Sequence, residues 1–189
     1  MTAATTALII LVGLLIVVVL WVVGVYNGLI RLRNLVQEAW RQIDVELQRR
    51  HNLIPNLVET VKGYAAHEKG TFEEVTRARN MAVAPGSSVA EQAQQENVLT
   101  QALGRLIAVA EAYPDLKANQ NFLDLQNQLE GTENRINVAR QRYNKAVQTF
   151  NSSIRTFPNN LTNKFLLKLE RKEPFQAEAG AETAPKVKF

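Results

Sequence analysis

The chain has 189 residues, with 22 Lys or Arg against 18 Asp or Glu, a formal charge of +4 and no cysteine. The missing thiols exclude disulfides, cysteine nucleophiles and Cys-ligated zinc together. The small basic excess is interspersed with acids along helical patterns rather than gathered on one face, so nucleic acid is not an expected partner.

The first 30 residues carry no charged side chain. Ala7 to Val25 is an unbroken apolar run that covers about 28 Å as a helix, close to the hydrocarbon core of a bilayer at about 30 Å. A buried core helix would keep a polar face, and this run has none. A cleaved signal peptide would carry Lys or Arg before the run and a small-x-small site after it, and neither is present. The run therefore predicts a transmembrane anchor holding Leu8, Leu14 and Val18. Trp21 and Tyr26 stand at one interface, where amphipathic rings settle. Gly24 and Gly28 form a GxxxG pair at its edge, a spacing that lets two such helices approach. Arg31 and Arg33 are the first charges, and no acid precedes Glu38. The positive-inside rule then places the rest of the chain in the cytoplasm, with a short N-terminus outside.

Everything periodic beyond the anchor has helical spacing. The expected class is all-α: a transmembrane helix within residues 1–30, then an elongated antiparallel bundle of about four helices over 31–158. The first bundle helix carries Val36, Trp40, Ile43, Leu47, Ile54, Leu57, Val61 and Tyr64 as one apolar stripe, with a jump over Arg50. No strong stop separates it from the anchor, so the two can form one helix. Pro55 deprives the His51 carbonyl of its helical partner and should bend the helix without ending it. Gly63 and Gly70 bracket the expected end. Thr71 and Glu74 have capping-box spacing ahead of a short second helix with Phe72, Val75 and Ala82. The stretch "APGSS", Ala84 to Ser88, reads as a turn. Ser88 with Glu91 caps a third helix whose stripe is Leu99, Ala102, Leu106, Val109 and Tyr113, and Pro114 ends it.

The fourth helix has the clearest pattern. Phe122, Leu125, Leu129, Thr132, Ile136, Ala139, Tyr143, Ala146 and Phe150 alternate steps of three and four, and Phe157 falls in phase beyond them. Gly131 costs about 1 kcal/mol relative to Ala, but the phase runs through it, so one helix from about Asn119 to Thr156 is expected. A period this regular calls for coiled-coil-like packing along its length. The predicted core comprises Trp40, Ile43, Leu47, Ile54 and Leu57, with Leu106, Leu129, Ile136, Tyr143 and Phe150. Residues 159–175 read as a short apolar-basic segment, helical or irregular. Residues 176–189 read as a poorly ordered Ala/Glu/Pro tail, with Val187 and Phe189 as candidates to dock on the bundle.

A search for chemistry finds little. His51 and His67 have no carboxylate or second histidine at helical ligand spacing, so each is expected to be a helix-surface histidine. The four serines lie in two adjacent pairs, and neither sits in a GxSxG turn. No phosphate-cradling glycine loop occurs. Glu73 and Glu74 suit a helix start, where they favour the dipole. Arg49 and Arg50 lie beside the apolar stripe and are expected to bury their stems and pair on the helix surface. Glu133 and Arg135 are expected to make cross-helix hydrogen bonds that set register. No catalytic residue, cofactor or metal is expected, and the chain does not read as an enzyme.

The stretches "AWRQIDVELQRRHNLIPNLVETVKGYAAHE" and "ENVLTQALGRLIAVAEAYPDLKANQNFLDLQNQLEGTENRINVARQRYNKAVQTFNSSIRTFPNN" resemble the bacterial LemA family. The apolar N-terminus and the closing "PKVKF" fit as well, so the likeness covers nearly the whole chain. Asn52 stands where that family commonly has Asp, Phe150 where Tyr is usual, and Lys164–Phe165 where a Gly-Phe step is typical. The resemblance implies a single-pass protein of the bacterial inner membrane with an elongated helical bundle and no assigned enzymatic activity. Together with the stripes it points to a membrane-anchored scaffold whose partners are the lipid bilayer, further copies of itself and other envelope proteins. The alternatives are an accessory subunit of a membrane-bound enzyme such as a protease, and an oligomeric membrane-remodelling protein.

Overall fold

A single helix, α1, runs without interruption from Ala3 to Lys62 in the computed structural model, which describes residues 3–175. Anchor and first bundle helix are thus one element. The helix continues through Pro55, whose ring is exposed, and stops just before Gly63. It is followed by α2 (Lys69–Val83), α3 (Val89–Glu111), the single turn α4 (Pro114–Lys117) and the long α5 (Gln120–Ser153). A second single turn, α6 (Asn159–Thr162), leads into a π-helical turn over Asn163–Leu167. The described residues contain no strand, and the fold is all-α.

The cap of α3 follows local chemistry. Ser88 and Glu91 close a reciprocal box, at 3.2 Å and 2.8 Å, that satisfies two helix-start amides. Two residues before Ser88, Gly86 turns the chain at φ +91°, a conformation that costs glycine no steric clash. Thr71, by contrast, does not cap α2. That helix begins earlier, at Lys69, because the Phe72 amide already bonds the Glu68 carbonyl, and Glu74 instead pairs with Arg105 of α3.

The helices gather into two compact units, formed by residues 40–144 with 173–175 and by residues 3–39 with 145–172. In the first, α1 contributes Ile54, Leu57 and Val61 to a core shared with Phe72 and Val75 of α2 and Leu99 and Leu106 of α3. Each fully buried side chain of this size is worth roughly 1.5–3 kcal/mol. Leu116 of α4 and Phe122 close this core, and Leu129 packs against it half-buried. Trp40 faces Tyr143 at 5.4 Å between ring centroids, Glu46 meets Arg135 and Arg50 meets Glu133. Rising numbers on α1 therefore oppose falling numbers on α5, and the two helices pack antiparallel in this unit. Ile43, Leu47, Ile136 and Tyr143 are buried there.

In the second unit, Leu29, Val36, Val147, Phe150 and Ile154 are buried, while no residue of the apolar run Ala7 to Val25 is buried. By length and composition that run is a candidate membrane span. Two aromatics leave the stripes that their phase assigned them. Tyr64 is 43% and Phe157 74% exposed, because α1 ends at Lys62 and α5 at Ser153, so helical phase no longer governs either side chain.

The chain beyond the π-helical turn is held by asparagines. Asn163 both donates to the Leu169 carbonyl and accepts from its amide, at 3.1 Å and 2.8 Å. Asn151 does the same with Lys172 at 2.8 Å and 2.9 Å. In the other unit Asn144 does so with Phe175 at 2.9 Å and 2.8 Å, and the Tyr143 hydroxyl donates to the Glu173 carbonyl. A side-chain amide carries the donor and acceptor of a peptide group, so each asparagine satisfies the amide and carbonyl of a residue outside any helix or sheet. Phe175 is buried here, 6.0 Å from Trp40, with the Arg140 guanidinium 4.4 Å from its ring centre. Val187 and Phe189, expected to dock, lie outside the described residues.

Candidate functional site

The stripe of α1 steps seven residues from Leu47 to Ile54, and the helical positions between them that turn inward belong to Arg50 and His51. Both are buried, at 2% and 6% exposure. Taking a guanidinium and an imidazole out of water costs several kcal/mol unless partners meet them. The partners come from two other helices. Arg50 Nη2 donates to Glu96 Oε2 on α3, and its Nη1 donates to Glu133 Oε2 on α5 at 2.6 Å and to Thr100 Oγ1 at 3.2 Å. His51 Nε2 lies 2.8 Å from Glu96 Oε1, and Gln92 Nε2 donates to the same oxygen at 3.1 Å. Thr100 Oγ1 turns its proton to the Glu96 carbonyl.

Glu96 is the hub of this cluster, at 2% exposure. Burial alone would push its carboxyl up. The His51 hydrogen bond and the Arg50 charge outweigh that and hold it below the ordinary carboxylate range.

A second device lies next to it. Pro55 has no amide proton, so the His51 carbonyl loses its helical donor. Arg79 of α2 supplies the missing donor: its Nε reaches the His51 oxygen at 2.8 Å. The proline that reads as a defect in α1 is thus a docking point for α2.

The cluster has little chemistry left to offer a substrate. His51 Nε2, both Arg50 Nη atoms and the Glu96 carboxylate are engaged with one another or with Glu133, Thr100 and Gln92, and the histidine is closed off from solvent. Arg50 Nε is buried without a hydrogen-bond partner, and Arg50 lines a pocket of about 200 Å³ floored by Leu103, Ile107 and Leu129. Among the described residues no three His, Asp or Glu side chains converge as metal ligands would.

Three sequence expectations need correction. His51 is not on the helix surface, and it does meet a carboxylate; the partner is 45 residues away, beyond the reach of any spacing rule. Arg50 likewise pairs in the interior. Its neighbour Arg49 is the surface arginine, reaching Glu46 at only 3.9 Å with a side chain 61% exposed, a pair worth about 0–1 kcal/mol. His67 is exposed in the loop after α1 rather than on a helix. Glu133 and Arg135 do make cross-helix contacts, to Arg50 and to Glu46. Sequence reasoning passed over Glu96 and Arg79. The available signals were two charged residues filling inward positions of a stripe, which demand an opposite charge, and a proline leaving a carbonyl to be satisfied.

In comparison with known proteins, the family model "LemA family" matches residues 39–189. The chain is 30% identical to Protein LemA of Metamycoplasma hominis over 60% of this chain and 52% of that protein. It is 26% identical to Magnetosome protein MamQ of Magnetospirillum gryphiswaldense, over 59% of this chain and 50% of that protein. The chain thus spans about half the length of the curated relatives it matches.

Proposed function

The chain belongs to the LemA family, and from that premise we propose that this membrane-associated helical protein is a non-catalytic scaffold of the bacterial envelope that self-associates. One observation carries the reading. The same uninterrupted helix is wholly exposed and apolar at one end and buried in a bundle core at the other. A helix built this way anchors in lipid and contributes structure rather than a reacting group. The ionisable cluster on it supports the same view, since its charged members pair with each other and fix which turn of α1 faces which turn of α3 and α5. Arg31 and Arg33 favour a bundle on the cytoplasmic side of the inner membrane. The Gly24–Gly28 pair, against which an added Cβ would meet nothing within 4 Å, supplies a surface for close approach of a second copy.

The test is the mass of the full-length protein in mild detergent, by light scattering over a wide concentration range. An oligomer is expected, weakened by Gly24→Leu and Gly28→Leu. A strict monomer at every concentration removes self-association from the proposal. Turnover of any substrate by the purified chain removes the non-catalytic part.

A further inference from the structure

The segment after α5 is built inside out. Phe157, Leu161, Phe165 and Leu166 are 74%, 45%, 70% and 57% exposed, while Thr162 and the side-chain oxygen of Asn160 are buried. Its order comes from polar contacts. Asn163 grips Leu169, Asn151 grips Lys172, and Lys168 closes the π-helical turn in the left-handed region at φ 50°. An ordered element that buries a threonine and an amide oxygen while turning two phenylalanines and two leucines outward is unfavourable in water.

Its position within its unit supplies the missing solvent. Asn159, the first residue of α6, lines one open groove together with Trp21, Gly24, Gly28, Leu29 and Arg31 of α1. That is the stretch where the apolar run gives way to the first charges, the boundary between hydrocarbon and water if α1 spans a bilayer. The charge around the patch is predominantly positive. Residues 155–172 hold Arg155, Lys164, Lys168, Arg171 and Lys172 against the single acid Glu170.

From this juxtaposition we infer that residues 157–168 form a second membrane contact, an interfacial wedge that seats its aromatic and leucine side chains at the headgroup boundary of an anionic leaflet. Apolar side chains at that depth leave water, and flanking Lys and Arg gain roughly 1 kcal/mol each near an anionic surface. A second copy of the chain fits the patch poorly, because its own wedge would bring the same positive charge.

The inference rests on α1 spanning the membrane, and the experiment separates the two. The full chain has no native cysteine, so spin labels can be placed singly at Leu166→Cys, at Leu15→Cys within the span, and at Gln37→Cys beyond it. The protein is reconstituted in vesicles of phosphatidylcholine with phosphatidylglycerol. Collision of each label with bilayer-dissolved oxygen is compared with collision with a water-soluble nickel complex. Oxygen is expected to win at residues 15 and 166, and nickel at residue 37. A residue 166 that behaves like residue 37, with residue 15 still deep, overturns the wedge and leaves the span standing. A residue 15 that behaves like residue 37 overturns the span and the wedge with it. Lys164→Glu with Lys168→Glu, or vesicles of phosphatidylcholine alone, should each shift residue 166 toward water; no shift in either overturns the preference for anionic lipid.

Discussion

Residues 40–144 with 173–175 place charge at the centre: Arg50, His51 and Glu96 are buried amid leucine, isoleucine and alanine. Residues 3–39 with 145–172 bury Leu29, Val36, Val147, Phe150 and Ile154, yet also carry many apolar side chains on the outside and tie their last segment with asparagine amides. The same helix, α1, takes part in both. The contrast shows that burial is readable only against the solvent a residue meets. In one unit inward polarity is costly and must be matched atom for atom. In the other, outward apolarity is what the proposed contact with lipid requires.

The sharpest way to break this contrast is to unmatch the buried charge. Glu96→Ala leaves Arg50 and His51 without their shared carboxylate and should destabilise the protein by about 3–5 kcal/mol, the range for removing one member of a buried pair. Phe150→Ala, which empties a fully buried apolar site, should cost a similar amount, about 3–5 kcal/mol. Thermal unfolding of both variants in one detergent, followed by circular dichroism, measures them side by side. Acid supplies an independent handle on Glu96. Its folded carboxyl lies below its unfolded value, so the stabilisation it contributes is complete above the ordinary carboxylate range and is lost as pH falls through the folded value. The wild type should lose stability in that acidic window, and Glu96→Gln should flatten part of the loss. An Ala variant that melts with the wild type would show that the cluster supports nothing.

Next in size is the link between Pro55 and Arg79. Arg79→Met strands the His51 carbonyl and should cost about 1–3 kcal/mol. In a Pro55→Ala background the new amide can serve that carbonyl, and the same substitution should cost less. The difference, of about 1 kcal/mol, is the coupling a double-mutant cycle isolates. Equal costs in both backgrounds would mean that Arg79 acts through something other than this carbonyl.

These two devices also mark where the sequence stops being legible. Hydrophobic phase located α1, α3 and α5 and most of their buried positions, since each helix must bury a stripe whatever it packs against. Phase also signalled that Arg50 breaks the stripe. It could not supply Glu96 or Arg79, because tertiary partners 46 and 28 residues away obey no period. The errors at Tyr64 and Phe157 have one cause: the stripe was extended past the point where the helix ends. Thr71 failed as a cap because the six residues between α1 and α2 let the second helix start early. The paired asparagines on α5, Asn144 and Asn151, stand seven apart outside the apolar stripe. Nothing in their spacing alone distinguishes them from solvated residues.

Those asparagines give a smaller effect. Asn144→Ala removes two hydrogen bonds to the Phe175 backbone, each worth about 0.5–1.5 kcal/mol. Faster hydrogen exchange of the Phe175 amide and a shift in Trp40 fluorescence should accompany the loss, since the two rings lie 6.0 Å apart. Asn144→Asp keeps the acceptor and loses the donor, so it should fall between wild type and Ala. Unchanged exchange would mean that burial of the Phe175 ring, not the amide, holds this segment.

The smallest effect is the most discriminating between the two regions. Phe157 continues the phase of α5, and a reading from period alone equates it with Phe150. At 74% exposure it has no core to leave, so Phe157→Ser should change detergent stability by no more than about 0.5 kcal/mol, the usual scale for surface sites. Its effect should emerge only when a bilayer is present, as weaker seating of residues 157–168. A loss as large as that of Phe150→Ala in detergent would place Phe157 in a core and take the lipid-facing patch with it. A neutral result in detergent, with altered depth in vesicles, would fix the outward aromatics as contacts with a solvent other than water.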